Sequence, residues 1–389
     1  MCKKVLLLSL ILCSYSIVSQ TVSTVTEGNF HDGLAVDSQG NVYGSDFPPV
    51  APFPNPIKNV YKYDTSGNVT VFATGFVSPN GIGINSQDEV YVCDHFANNI
   101  KKFSSDGTLL MTTTIGQFTT PAGIKPIPNT LDMLVVEYNN NTGRKIKQLS
   151  ADGTVTTLFS GAPLNGPAGI AFIGDTPYIA NFNDRKIFRF QNSILTEVAQ
   201  LPSSNNPQTD FLGFLTSANG LLYATHFGLN SIYTINPMTG EVNLFAGSSQ
   251  GGQDGEISIA TFNGPNGIIV DESTGKIYVS DAGSSGPVKN LRIIENAFLS
   301  VEDFTADSFK LQAFPNPVKD NLKIEMKLNI LDPLEIQIID IKGKIIYQKS
   351  FTIDDSELSL NISTSTWHEG TYILHCVQND KKVTKKIII

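Results

Sequence analysis

The sequence predicts an all-β chain: a six-bladed β-propeller followed by a small β-sandwich. Three observations carry this prediction. One pattern of phrases recurs six times at a period of about 45 residues, in the range where repeats mean propellers or solenoids. Each phrase is short, rich in Val, Ile and Tyr, and bounded by Gly, Asn, Asp or Pro, which is strand chemistry with turn punctuation. Around Ala306 the repeat stops and a new series of alternating segments begins.

The first phrase reads "HDGLAVD" (31–37), "PNGIGIN" (79–85), "PAGIKPI" (121–127), "PAGIAFI" (167–173), "FLGFLTS" (211–217) and "PNGIIVD" (265–271). The second ends in a polar residue in every unit: Asp46, Asp94, Glu137, Asn181, His226 and Asp281. A third phrase, such as "NIKKFS" or "KIFRFQ", is followed in most units by a turn and a fourth strand. Four antiparallel strands per unit and six units make a six-bladed propeller. A glycine opens each first strand, at Gly33, Gly81, Gly123, Gly169, Gly213 and Gly267. Strands crowd closest at the central channel, and a missing side chain lets backbones approach. The last unit lacks a fourth strand, and "TVSTVTEG" (21–28) is expected to supply it and close the ring.

The chain has 389 residues and a net charge of −9, with no long basic cluster, which argues against nucleic acid as a partner. Lys3 and Lys4 precede the apolar run "VLLLSLILC", and small or polar residues follow, so residues 1–20 read as a signal peptide cut near Ser19 or Gln20. Leu12 stands before Cys13 where a lipobox needs a small residue. No stretch is apolar enough for a transmembrane anchor. Cys93 and Cys376 remain beyond the signal, far apart, so there is no disulfide framework, and Cys93 reads as a small buried apolar residue. The expected division is a propeller over 21–300, a linker over 301–310 and a sandwich over 311–389.

The first and second strands form an antiparallel hairpin, so the start of one lies beside the end of the other. Two rings of residues are therefore expected at one mouth of the channel. The inner ring is Asp32, Asn80, Ala122, Ala168, Leu212 and Asn266; the second is Asp46, Asp94, Glu137, Asn181, His226 and Asp281. Together they hold five carboxylates, one His and no Lys or Arg. Repulsion between inward carboxylates costs roughly 4 kcal/mol per pair at about 4 Å and an effective dielectric of 20. A cation or protonation relieves it. Asp32, Asn80, Asn266, Asp94 and Asp281 are the expected metal ligands, hard oxygens suited to Ca²⁺ or another divalent ion. Each also has a purely structural reading, since Asp and Asn are turn formers. His31 and His95 flank the mouth. The proline-rich "FPPVAPFPNPIKN" (47–59) reads as a rim or lid, and "SSQGGQDGEIS" (248–258) as a flexible connection between blades.

Residues 245–281 resemble an NHL repeat: Ala-Gly, a Gly-rich loop, Asp-Gly, Ala-x-Phe-Asn, Pro-x-Gly-Ile, then a strand ending in Asp. More broadly, residues 21–297 are similar to the gluconolactonase-like group of six-bladed propellers. That resemblance implies a central divalent ion polarising an ester carbonyl, with His226 or Glu137 as base. It departs where the group draws ligands from later blades and this chain has Ala122, Ala168 and Leu212. The C-terminal segment resembles the type A sorting domain of the type IX secretion system, in Pro315-Asn316-Pro317, the turn from Asp340 to Gly343, Gly370-Thr371-Tyr372 and a Lys-rich final strand. This implies recognition by the secretion machinery, and a cargo released or attached at the outer surface. Three functions stay open: ligand binding at the channel mouth (small molecule, glycan or peptide), a Ca²⁺-dependent lactonase or esterase, and a structural part of a surface assembly.

Overall fold

The computed structural model describes residues 19–27, 29–46, 58–139, 144–281, 290–297, 309–328, 333–340, 344–352, 357–378 and 381–389. The chain divides into two compact units, Met1–Phe298 and Leu299–Ile389. The first is a six-bladed propeller. Blade one is Leu34–Val36, Val42–Ser45, Lys58–Tyr63 and Val69–Phe76; blade two is Pro79–Ile84, Val90–Asp94, Asn99–Phe103 and Leu109–Thr112. Blade three is Pro121–Pro126, Met133–Glu137, Lys145–Leu149 and Val155–Ser160; blade four is Pro167–Ile173, Thr176–Asn181, Lys186–Gln191 and Ile194–Gln200. Blade five is Leu212–Ala218, Leu221–His226, Ser231–Ile235 and Val242–Ala246. Burial falls from the axis outward: Pro79–Ile84 is buried throughout, while Leu109–Thr112 is mostly exposed.

Blade six has five strands rather than four. Pro265–Asp271, Lys276–Asp281 and Asn290–Glu295 are followed in the sheet by Thr21–Glu27 and then by Gly255–Glu256. Thr21–Glu27 runs antiparallel to Asn290–Glu295, with Thr21 opposite Glu295 and Glu27 opposite Asn290. The segment 248–258, expected to be a loose connection, is instead ordered against this strand. Gly255 and Glu256 pair with Val22 and Thr21. Asp254 takes hydrogen bonds from Thr24 N and Oγ1, both at 3.0 Å. Strand pairing and the contacts of Asp254 order it, so composition alone misjudged it. Of the proline-rich insertion, 47–57 lies outside the described residues, while Lys58 and Asn59 belong to the third strand of blade one.

Arg292 fastens this closure from inside. It is fully buried and sits over the Phe262 ring at 5.1 Å. Its guanidinium donates to Asp281 at 3.1 Å, Asp254 at 2.7 Å, Thr261 O and Gln253 O. One side chain thereby ties the second strand of blade six, the 248–258 segment and, through Asp254, the N-terminal strand.

The glycines at the axis act as the sequence predicts. A β-carbon added at Gly33 would stand 2.6 Å from Asn80 O; at Gly81, 2.0 Å from Ala122 O; at Gly123, 1.9 Å from Ala168 O. At Gly267 it would meet Asp32 O at 2.0 Å, the contact that joins blade six to blade one. Each clash is with backbone, which has little room to yield.

The C-terminal unit packs a three-stranded sheet (Phe309–Phe314, Asn321–Leu328, Glu357–Ser363) and a four-stranded one (Ile345–Phe351, Leu334–Asp340, Thr371–Gln378, Lys381–Ile388) around its own core. Leu322, Ile324, Leu334, Ile336, Ile338, Leu374 and Cys376 fill it, alternating along their strands as a half-buried sheet requires. The expected turn at Lys342 and Gly343 lies outside the described residues.

Two substitutions test this account of closure. Gly123→Ala is expected to cost about 1–3 kcal/mol by overpacking, whereas Gly252→Ala, where nothing lies within 4 Å, stays within about 0.5 kcal/mol; denaturant titration distinguishes them. Arg292→Leu leaves Asp281 buried without its cation, and a loss of about 3–5 kcal/mol is expected in the same measurement.

Candidate binding site at one channel mouth

The hairpin register places the expected rings at one end of the channel. Pro79 pairs with Asp94, Pro121 with Glu137, Pro167 with Asn181 and Pro265 with Asp281. Between that pair and the next, each first strand carries a bulge at the residue before the glycine. A bulge re-aims a side chain, here that of Asn80, Ala122, Ala168 or Asn266. Blade five is offset by one. Leu212 pairs with His226, so it takes the place that proline holds elsewhere. Phe214 N bonds Thr225 Oγ1 just as Gly267 N bonds Ser280 Oγ. Leu212 is therefore not an inner-ring residue; Gly213 is. The phrase "FLGFLTS" has no proline to set the register, and its glycine stands one place early.

Three inner-ring residues converge. The Asp32 carboxylate accepts from Asn80 Nδ2 at 2.7 Å and from Asn266 Nδ2 at 3.0 Å. Asp32 and Asn80 are buried and Asn266 is half-buried. Each amide directs an N–H at Asp32. Asn80 Oδ1 and Asn266 Oδ1 are left buried and accept no hydrogen bond among the described residues. Asn266 Oδ1 occupies the room beside Gly213, 2.7 Å from where a β-carbon would stand.

The backbone carbonyls of the same three residues are held from the preceding blade. Thr225 Oγ1 donates to Asn266 O at 2.5 Å, Ser280 Oγ to Asp32 O at 2.9 Å and Ser45 Oγ to Asn80 O at 2.7 Å. Blades two, three and four carry Cys93, Val136 and Ala180 at that position. The hydroxyls thus stand only where the next blade offers a polar inner residue.

The second ring behaves otherwise. Asp94 accepts from Ser78 N at 2.8 Å and Val77 N at 3.1 Å, and Lys101 lies 3.4 Å away. Glu137 accepts from Thr119 N at 2.8 Å and pairs with Lys147 at 2.7 Å. Asp281 accepts from Asn263 N at 2.7 Å and pairs with Arg292. Asp46 lies 3.7 Å from Lys58. Asn181 donates to Pro163 O at 3.0 Å. Asp94, Glu137, Asn181 and Asp281 thereby clip the loop entering the first strand to the end of the second. The expectation of five unneutralised carboxylates is corrected for the four of the second ring: their counter-ions come from the third strands, in phrases such as "NIKKF" and "KIKQL".

The expected metal and base assignments change accordingly. Asp94 and Asp281 are committed to amides and cations, and among the described residues no group of three or more His, Cys, Asp or Glu is placed to hold a metal. What remains of the expected ligand set is Asp32, Asn80 and Asn266, one carboxylate and two amide oxygens. His226 is fully buried, with Nε2 donating to Pro202 O at 2.9 Å and Nδ1 accepting from Leu229 N at 3.1 Å. Burial lowers its pKa, and both nitrogens are engaged, so it is no base for the channel. Glu137, held by Lys147 and Thr119, is none either.

The sequence reading missed an aromatic arc. The residue after each second strand is aromatic in most blades: His95, Tyr138, Phe182 and Phe227. His95 lies edge-on to Tyr138 at 5.9 Å, Tyr138 edge-on to Phe182 at 5.9 Å, and Phe182 stacks on Phe211 at 4.4 Å. Tyr138, Phe182 and Phe211 are half-buried. The signal was legible as a polar residue followed by a ring: "DHF", "EYN", "NFN" and "HFG". The mouth is thus polar at blades six, one and two and aromatic from blade two to blade five.

His31 and His95, which flank the mouth in sequence, are both buried. His95 Nδ1 donates to Pro121 O at 3.1 Å. Burial pulls its pKa down to about 4, so it must gain a proton on unfolding below its ordinary value of about 6.5. Its stabilising contribution is complete above about pH 6.5 and is lost as pH falls toward 4. Asp281, whose carboxyl burial pushes up to about 6, acts in the opposite sense over the same range, so global stability alone does not isolate His95. The expected outcome is a His95 ring-proton titration midpoint near 4 by NMR; a midpoint near 6.5 contradicts the burial argument.

Residues 312–389 match the secretion system C-terminal sorting domain. The chain is therefore directed by its C-terminal unit through type IX secretion to the cell surface or the extracellular space. No curated protein matches the sequence. Among solved structures, the propeller is similar to an auxiliary nutrient binding protein from Bacteroides thetaiotaomicron, with TM-score 0.53 and 16% identity over 71% of this chain and 76% of that one. It is also similar to a gluconolactonase from Xanthomonas campestris, with TM-score 0.51 and 15% identity over 71% and 89%. A putative gluconolactonase gives TM-score 0.51 and 13% identity over 72% and 92%. At these identities the likeness is one of fold.

Proposed function

We propose that the propeller is an exported binding module for a saccharide, held without turnover at the mouth that carries Asp32. The observation that carries this reading is the pairing of two walls. Asn80 and Asn266 each keep a buried, unspent carbonyl oxygen beside the Asp32 carboxylate. From blade three to blade five the rim carries the half-buried rings of Tyr138, Phe182 and Phe211. A sugar ring has hydroxyl donors on its edge and apolar C–H groups on its face. Acceptors on one wall and aromatic faces on the other match both. The absence of a free base in either expected position favours binding over hydrolysis. Export to the surface fits a protein that meets its ligand outside the cell.

One observation favours a second reading. A carboxylate beside two amide oxygens is also a hard-oxygen donor set, and Ca²⁺ on Asp32, Asn80 and Asn266 would satisfy both buried oxygens. The test is calorimetric titration of the full chain with a panel of mono- and oligosaccharides, with and without Ca²⁺ and with an aryl-ester turnover assay alongside. The expected result is saccharide binding that survives chelation, no ester turnover, and about five- to tenfold weaker binding for both Asn80→Ala and Phe182→Ala, one lost hydrogen bond or one lost ring contact being worth about 1–1.5 kcal/mol. Calcium-dependent turnover overturns the reading in favour of a lactonase.

A further inference from the structure

The opposite end of the channel holds a cavity of about 400 Å³, formed where the first strands end. Val36, Pro126, Phe172 and Ile269 supply apolar wall, and Thr216 and Ser38 supply hydroxyls. Into it comes one lysine, Lys125, on the first strand of blade three. Every other described lysine of the propeller is in an ion pair: Lys58, Lys62, Lys101, Lys102, Lys145, Lys147, Lys186 and Lys276. Lys125 alone, among the described residues of the propeller, is without one. The carboxylates nearest in the fold do not serve it. Asp37 is spent on Asn41, Tyr43 and Lys62. Asp271 is spent on Ser273 and Thr274. Glu272 is exposed.

Lys125 is half-buried, enters the cavity without an ion-pair partner, and so has its charged form disfavoured by desolvation. Desolvation lowers the Lys125 pKa to about 8, so roughly a tenth is free amine at pH 7, against under a thousandth for an ordinary lysine. A desolvated lysine is the form that attacks carbonyl carbon. The acidic side chains around the cavity, Asp37, Asp271 and Glu272, disfavour an anionic guest and leave a neutral one.

We propose that this second cavity is a carbonyl-capture site, in which Lys125 forms an imine with a small neutral aldehyde or ketone. Lys125 Nζ bonds to the carbonyl carbon, the carbonyl oxygen takes up the two amine protons, and it leaves as water as the C=N bond forms. No redox partner is needed. The site is distinct from the saccharide mouth and does not depend on it.

The test treats the full chain at pH 7.5 with propanal and sodium cyanoborohydride, which reduces the imine to a stable alkyl-lysine, and follows each lysine by peptide mass spectrometry. Lys125 is expected to be modified at least about tenfold faster than the exposed Lys319 and Lys349, because ordinary lysines are almost wholly protonated at that pH. Its rate is expected to rise through about pH 8 and then level. Labelling of Lys125 no faster than those two overturns the proposal. So does faster labelling by glyoxylate, an aldehyde carrying a carboxylate, than by propanal. The readout is taken on the native chain, so it does not rest on the folding of a variant; Lys125→Arg serves to confirm the peptide assignment.

Discussion

The molecule depends on one contact repeated around its axis: a glycine of one blade laid against a backbone carbonyl of the next. At Gly33, Gly81, Gly123 and Gly267 a single added carbon would meet that carbonyl at between 1.9 and 2.6 Å. Only a chain without a side chain there lets the first strands close to this radius. Because the approach is so tight, the residue before each glycine is pushed into a bulge, and its side chain is set by the ring rather than by its own preferences. The scaffold thus decides where Asp32, Asn80 and Asn266 stand. Ser45, Thr225 and Ser280 then fix their carbonyls from the blade behind. Geometry and chemistry of the mouth come from the same contact.

The charges follow a different logic. Acids at the ends of the second strands sit where the chain turns into the next loop, and Asp94, Glu137 and Asp281 are each met by a backbone amide and by a cation from the third strand. Buried carboxylates persist when they are paired and hydrogen-bonded, and Asp94, Glu137 and Asp281 satisfy both conditions. This empties the mouth of most of its apparent negative charge. What is left is one carboxylate bracketed by two amides.

The architecture was legible because it is written in short-range signals. Period, strand composition and the opening glycine together specify six blades, and Pro-x-Gly marks where the first strand starts. The site was only partly legible. Asp32, Asn80 and Asn266 were placed together by counting residues from the glycine, and the structure does bring them into contact. Counting failed at Leu212, where the absence of proline let the register slip by one. It also failed for Asp94 and Asp281, because their partners Lys101 and Arg292 lie on a strand whose face cannot be read from the first two phrases. The loop 248–258 was misjudged because glycine content reports freedom of an isolated chain, not the edge that the chain finds. The aromatic arc was overlooked for a simpler reason: it follows the polar residue that drew attention.

The most direct test of the central claim is a crystal structure of the full chain soaked with the tightest-binding saccharide. The account predicts a sugar ring lying against Tyr138 or Phe182, with hydroxyls reaching Asn80 Oδ1 and Asn266 Oδ1. Density for the sugar on the outer strands, or a metal seated on Asp32 with no sugar at that mouth, would contradict it.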